Sequence, residues 1–524
     1  MKPVYGRYEN VTDKERSQRS RVSGDRLKTA TLIALCLALF AINLDDSVMN
    51  VALPKIQTSL DSGVSELQWI LNAYTLPLAS LVLPSGTLGD IYGRKRLFLW
   101  GLIIFTFASV ICGLAQNLTM LIGGRIIQGI GAAAIIPTSL SILTDTFPQP
   151  EEKTKAIGIW SSVSGIALII GPALGGLLVD GFGWQSVFWL NLPLAAIAIR
   201  MTSRTVRESN KLQSQIDLPG IILSIITLAS LTYALTEGNG GTWRSPLVVI
   251  LLIVAVVSLL LFLLVESRSS HPMLPMSLLR NSTFVAVNIA NILLFFAFFS
   301  LLFIFSLFLQ QVQGHSAMEA GLRFLPMNGA FILALFISGW FSARWEWRNT
   351  IILGLTITSL SAFSLISIDA STEYSAIVAN LMLSGFGGGL TLAPLAAATL
   401  SSGLPSQTGI ISAALNSSTR IGGILGIAIQ GTILKQWLAV DLTRSLATWN
   451  ISNSLQERLV AKAWHYGSKT PSLPGYISPL KWERAFEGAF VSGMQATLVV
   501  AGIVLITGAV LILFFVPPTS KRSP

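Results

Sequence analysis

Long apolar runs separated by short polar interruptions dominate this chain, and the length of the runs sets its class. A helix needs about 20 predominantly apolar residues to cross the hydrocarbon core of a bilayer. About fourteen runs reach that length. They begin near Leu27, Leu67, Leu97, Leu118, Ala156, Val187, Leu218, Pro246, Phe284, Phe324, Asn349, Tyr374, Thr408 and Gly488. The runs are continuous, whereas membrane-spanning strands would alternate apolar and polar positions over ten-residue segments. Successive runs also lie too close together to admit a soluble catalytic domain. The pattern predicts an all-α integral membrane protein of about fourteen transmembrane helices.

The polar interruptions suggest an organisation. Residues 1–26 read as a mobile cytoplasmic tail, 27–205 as a first six-helix bundle, and 206–282 as an inserted hairpin with flanking loops. Residues 283–516 form a second six-helix bundle that includes an outside loop at 435–486, and 517–524 form a short cytoplasmic tail. Removing the inserted pair leaves six helices on each side, and repeats of this kind are common among transporters. Gly86-Thr87-Leu88-Gly89-Asp90 through Arg96 in the first half has an echo at Gly339 to Arg344 in the second.

Composition narrows the function. Of the 524 residues, 52% are hydrophobic and only 11% charged, against about 25% charged in a soluble domain. The net charge of +10 would suggest nucleic acid in a soluble protein, but its placement is topological. With both termini inside, the short outside loops hold only Lys55, Arg244 and Arg323, while most other Lys and Arg residues fall on the cytoplasmic side. The expectation is therefore a multi-pass protein of the cell (inner or plasma) membrane that does not bind nucleic acid. No short apolar core with a small-residue cleavage site marks a signal peptide. Cys36 and Cys112 lie inside apolar runs as small hydrophobes. His271, His315 and His465 show no ligand spacing, so no metal is expected. Gly467-Ser468-Lys469-Thr470 lacks the Gly-Lys pair of a nucleotide-binding loop, and no catalytic triad emerges. The chain reads as a non-enzyme without cofactors, energised by a gradient.

Charges at membrane depth then carry the chemistry. An acid there costs about 2.5–3.5 kcal/mol on insertion scales and normally faces a water-filled path. The first helix holds two in a row, Asp45 and Asp46, which project about 100° apart. Asp46 shares a polar stripe with Asn43 and Asn50, so periodicity favours Asp46 as the cavity-facing acid. Arg125, with Gln128 and Gly129 one turn on, keeps its proton and acts only by electrostatics. It either snorkels to an interface or pairs with an acid of the first helix. Arg420 is a second intramembrane cation, reading equally as a tether to a backbone carbonyl. Gly86, Asp90, Gly93, Arg94 and Lys95 form a loop in which the glycines permit tight backbone approach and Asp90 neutralises the cations. Gly171 and Gly175 make a small-residue face for a neighbouring helix, Pro172 kinks that helix, and Gly158 and Gly176 extend the glycine pattern. The aromatic run Phe295 to Phe308 reads as lipid-facing filler.

Together these segments resemble the major facilitator superfamily, and within it the fourteen-helix drug/proton antiporters of the EmrB/QacA type. The resemblance covers nearly everything after Leu27. Leu44-Asp45-Asp46-Ser47-Val48-Met49-Asn50-Val51-Ala52-Leu53-Pro54 is similar to that group's first-helix motif, which places the motif acid at Asp45, so both acids remain candidates. Gly86 to Lys95 resembles the cytoplasmic gating loop, Arg125 to Gly129 the fourth-helix motif associated with proton transfer, and Gly171-Pro172 with Gly175-Gly176 the antiporter motif. Ala167 departs from that last motif, which has glycine there, and Ala343 stands where the second-half echo often has aspartate. Trp184 to Pro193 and Gln310 to Ser316 also look like this group.

The resemblance implies export of drugs or other hydrophobic small molecules by alternating access, coupled to protons taken up at Asp45 or Asp46. Asp90 and Arg94 would hold the inner gate, and the Gly171 region would slide. Two readings stand beside it: a specific metabolite or siderophore exporter, and a non-transporting receptor or scaffold. The lipid bilayer, protons, a small-molecule substrate and a periplasmic adaptor protein are the partners considered.

Overall fold

The computed structural model describes residues 9–208, 217–237, 245–269, 272, 275–403, 408–449, 451–466 and 477–518. His271, the Gly467–Thr470 segment, and parts of the terminal tails and of the loops at 206–282 and 435–486 lie outside them. The first half consists of α1 (Glu9–Ser59), α2 (Val64–Tyr92), α3 (Arg94–Gly113), α4 (Leu118–Thr146), α5 (Pro150–Phe182) and α6 (Ser186–Thr205). The inserted pair is α7 (Leu218–Glu237) and α8 (Pro246–Arg268). There follow α9 (Met276–Leu279), α10 (Ser282–Leu307), α11 (Ala317–Arg323), α12 (Leu325–Trp345), α13 (Trp347–Ser364), α14 (Tyr374–Leu400), α15 (Thr408–Ala447), α16 (Asn453–Tyr466) and α17 (Pro479–Phe515). No strand occurs among the described residues.

Thirteen of the fourteen predicted runs begin inside a long helix of their own, and the run predicted near Phe324 begins at the residue that caps α12. Twelve helices among the described residues are long and apolar enough to cross a membrane, thirteen when the two arms of α5 count as one. The arms meet at a 40° bend near residue 168, the carbonyl position that Pro172 deprives of its amide partner. The remaining long helix, α2, carries Glu66 and Asp90 and packs between α4, α7 and α15, where protein replaces lipid.

Packing in one half repeats in the other. The contacts α1 with α5 and α6, α2 with α4, and α3 with α4 and α6 correspond to α10 with α15 and α17, α12 with α14, and α13 with α14 and α17. The inserted pair sits outside both halves, with α7 resting on α2 and α15. Beyond α7, α8 presents an almost wholly apolar surface that includes exposed Ile253, Val256 and Leu260. A bilayer satisfies such a surface and water does not.

Three expectations need correction. The chain before Leu27 is helical from Glu9 and continuous with the first span. The stretch 435–486 is mostly helix: α15 runs on to Ala447, α16 follows, and α17 begins at Pro479. Leu438, Leu442, Leu459 and the fully buried Trp482 and Phe486 weld it to the core, so apolar periodicity survives beneath its polar composition. The aromatic run of α10 faces inward, with Phe303, Phe305 and Phe308 fully buried, because α10 packs between α15, α17 and α14.

Candidate functional site

Asp45 is the hub of a buried polar cluster in the first half. Its Oδ2 pairs with Arg125 Nη1, and both side chains are 0% exposed. Its Oδ1 accepts from Gln128 Nε2 at 2.9 Å and Asn191 Nδ2 at 2.8 Å. Arg125 and Gln128 stand three residues apart on α4, hence on one face, and Arg125 Nη1 also donates to Gln128 Oε1 at 2.9 Å. Ser109 Oγ of α3 accepts from Gln128 at 3.0 Å and Asn191 at 3.3 Å. From α2, the Ile70 carbonyl accepts from Arg125 Nε at 3.2 Å and the Tyr74 ring lies 4.3 Å from the guanidinium. Five helices therefore share one ion pair. Burying two charges is offset only by close geometry and extra hydrogen bonds, and every polar atom of Asp45 and Arg125 except Arg125 Nη2 has a partner here, so the cluster knits the first half together. Of the two readings open for Arg125, the structure shows pairing with a first-helix acid.

Asp46 has a different environment. Its Oδ2 pairs with Arg420 Nη1 of α15, across the interface between the halves. The two side chains are 15% and 13% exposed. Arg420 is thus held by a carboxylate and not by a backbone carbonyl. The one-residue offset between the acids sends them to separate partners, as the 100° helical step requires.

Further hydrogen bonds tie the halves on the face away from the chain ends. Ser306 Oγ donates to Asn50 O at 2.6 Å, Gln310 Nε2 to Val51 O at 3.2 Å, and Gln68 Nε2 to Ile427 O at 2.7 Å. Gln311 pairs with Gln57, and Met318 N donates to Asp180 Oδ2 at 2.8 Å.

The glycines of α5 fit around the acids. A Cβ at Gly171 would strike Ser47, and one at Gly175 would lie 2.5 Å from Val48 Cγ1. Gly176 instead faces the second half, where its Cβ would meet the Ala317 carbonyl at 2.5 Å. Gly158 has open space around it, and its side is exposed. Pro172, Ser47, Asn50 and Phe298 line a cavity of ≈ 10 Å³ between the halves, room for about one water. Asn50 is buried there with Oδ1 unpartnered. Asn43 turns toward α5, donating to Leu39 O at 2.8 Å and Ser164 Oγ at 3.4 Å. The stripe Asn43, Asp46 and Asn50 therefore spreads over three environments.

The loop between α2 and α3 is one residue, Gly93, with φ +106°. Arg94 bridges Asp90 at 2.8 Å and Asp145 at 2.7 Å, and Lys95 Nζ donates to Ser203 O at 2.9 Å. These partners all belong to the first half, so Asp90, Arg94 and Lys95 fasten α2 and α3 to α4 and α6. Gly86 has nothing near its Cβ position; the close approaches are at Gly89, 3.1 Å from Thr138 Cγ2, and Gly93, 2.5 Å from Glu208 Oε1.

Glu208, Asn191, Ser109 and Tyr74 escaped the sequence reading. Asn191 stood in a motif, Trp184 to Pro193, that carried a signal without a role. Glu208 accepts from the Lys95 and Arg96 amides at 3.1 and 3.2 Å, an acid at a helix N-terminus that lies 113 and 112 residues away in sequence and so left no local signal. Among the described residues no group of His, Cys, Asp or Glu could hold a metal ion.

Comparison with known proteins gives a consistent picture. Residues 35–218 and 219–427 match the family described as Major Facilitator Superfamily. The chain is 34% identical over 485 residues to the "Multidrug resistance protein Stp" of Mycobacterium tuberculosis, covering 91% of this chain and 90% of that protein. It is 34% identical over 403 residues to the "Methylenomycin A resistance protein" of Streptomyces coelicolor, covering 77% and 85%. Among solved structures, a bacterial homologue of the human lysosomal transporter Spinster, inward-facing and unoccupied, superimposes with a TM-score of 0.66 at 19% identity. That match covers 93% of this chain and 98% of that one, a likeness of fold.

Proposed function

The chain belongs to the major facilitator superfamily, and from that premise we propose that it exports drug-like small molecules across the plasma membrane, with protons as the coupling ion and both termini in the cytoplasm. Its relatives include proteins named for multidrug resistance, antibiotic resistance and drug efflux, and they are transporters, not enzymes.

One observation carries the coupling reading: two adjacent acids serve two different cations, one within a half and one between halves. Asp45 is sealed, fully hydrogen-bonded and shared by five helices, which suits a fixed hub. Asp46 keeps slight water access and has one cationic partner, which sits on the opposite half. A proton delivered to Asp46 would discharge that pair and free Arg420. Removing one partner of a buried pair costs about 3–5 kcal/mol, enough to move a two-state equilibrium by two orders of magnitude or more. In this scheme ionised Asp46 favours the conformer in which the outer face is tied shut. Drug loading from the cytoplasm opens the outer face, where Asp46 takes up a proton as drug leaves; the protonated carrier turns inward, and loss of that proton to the cytoplasm re-forms the pair. The glycines at 171 and 175 let α5 slide against Ser47 and Val48 beside the acids. Outer ties at Gln57, Gln68 and Asn50 must break and re-form in each cycle.

Asp46→Asn should abolish drug accumulation against a gradient in everted vesicles while energy-independent drug exchange persists. Undiminished proton-driven accumulation by that variant would reject the assignment.

A further inference from the structure

A cavity of ≈ 300 Å³ opens at the junction of the inserted pair with both halves, far larger than the space beside Asn50. Its walls come from Ser80 of α2, Thr227 of α7, Phe262 of α8, Phe284 and Asn288 of α10, and Ser417 of α15. The wall segments lie at or within the half of each helix nearer the chain ends, reaching the middle of α7 at Leu228, and no charged side chain lines the cavity among the described residues. It therefore opens within one leaflet, beside the lipid-exposed face of α8.

Its dimensions select an occupant. On α10 the walls run from Phe284 to Ile292, a rise of about 12 Å at 1.5 Å per residue. Leu279 of the short α9 lines one end. That rise of about 12 Å is shorter than the roughly 15 Å of hydrocarbon an extended acyl chain spans in one leaflet, and it matches a compact ring molecule. Phe262 and Phe284 offer it aromatic faces, and offset or edge-on contacts between rings are favourable. The hydroxyl protons are already committed: Ser80, Thr227 and Ser417 donate to the carbonyls of Leu76, Leu223 and Ala79. Asn288 differs. Its Nδ2 donates to Phe284 O at 2.9 Å, which fixes the amide orientation, and its Oδ1 has no partner. A buried acceptor left this way is destabilising until a donor arrives.

We propose that this cavity is a membrane-side binding site for compact lipophilic ring molecules bearing an N–H group, built by the inserted pair as an antechamber to the central site. The proposal rests on the export reading above. Ser417 and Ile421 of its wall flank Arg420 on α15, so an occupant touches the helix that holds the interhalf ion pair.

The test uses the full chain in lipid nanodiscs with a diazirine-bearing N-phenylnaphthylamine, its labels mapped by mass spectrometry. Labels should concentrate on residues 284–292 and 414–421 and saturate with dose. Ala414→Phe, which fills the cavity, should remove them, and a second filling variant, Ile292→Phe, guards against misfolding of the first. Asn288→Leu should weaken the N–H probe by about 5–10-fold, the worth of one hydrogen bond, and leave an N-methylated probe unaffected. Unsaturable labelling spread over α8, labelling indifferent to both filling variants, or equal loss of the two probes in Asn288→Leu would overturn the site. Export is tested separately: drug efflux that survives Asp46→Asn while the labels behave as expected would leave the cavity standing and remove the coupling scheme.

Discussion

The bond between Asp46 and Arg420 makes the sharpest energetic prediction. Two unit charges about 4 Å apart attract by about 4 kcal/mol at an effective dielectric constant of about 20. The pair is 15% and 13% exposed, so some solvent screening applies and about 2–3 kcal/mol is the expected coupling. Only the conformer tied at the outer face benefits, so losing the pair should shift the conformer ratio by about 30–150-fold. The assay is a double-mutant cycle of Asp46→Asn, Arg420→Gln and the double variant. Spin labels on the outer ends of α2 and α15 report the conformer ratio as distance distributions. Each single variant should raise the outer-open population, and the double variant should fall well short of their sum. A coupling energy within about 0.5 kcal/mol of zero would show that the two side chains touch without governing the conformation.

Other outcomes follow from the same geometry. Asp45→Asn leaves Arg125 buried without its countercharge and should lower stability by about 3–5 kcal/mol, seen as loss of monodisperse protein on heating; Asp45→Asn with Arg125→Gln should recover part of it. Gly175→Ala places a methyl 2.5 Å from Val48 Cγ1 and should cost about 1–3 kcal/mol by overpacking, reducing both thermal stability and turnover, whereas Gly158→Ala, in open space, should change neither. Glu208→Ala removes the acceptor for two amides at the start of α3 and should cost about 0.5–2 kcal/mol there, read as faster hydrogen exchange at residues 95–97 with the Asp45 cluster unaffected.

Element class and position were legible because lipid imposes a length and an apolarity on every span, and both are written into single segments. The acid pair and Arg125 stood out for the same reason, since charge at that depth is expensive. What periodicity could not supply was partnership. It gives the 100° separation of Asp45 and Asp46 but not what each faces, and Arg420 is 374 residues from Asp46. The polar stripe of Asn43, Asp46 and Asn50 looked like one face, yet three neighbours divide it, because α1 is wrapped on several sides. The glycine loop stood out by its resemblance to a gating-loop motif, but its partners did not, since Asp145, which binds Arg94, and Glu208, which caps α3, lie far along the chain. The polar segment 435–486 concealed apolar residues at helical spacing, and its charges obscured them.

The central claim is that Asp46 exchanges a proton as drug moves. Purified protein in liposomes carrying a pH-sensitive dye should release or take up protons when a transported drug is added, and Asp46→Asn should bind the drug with no proton movement. Equal proton movement from the variant, or drug transport by the native chain that is indifferent to an imposed proton gradient, would contradict the account.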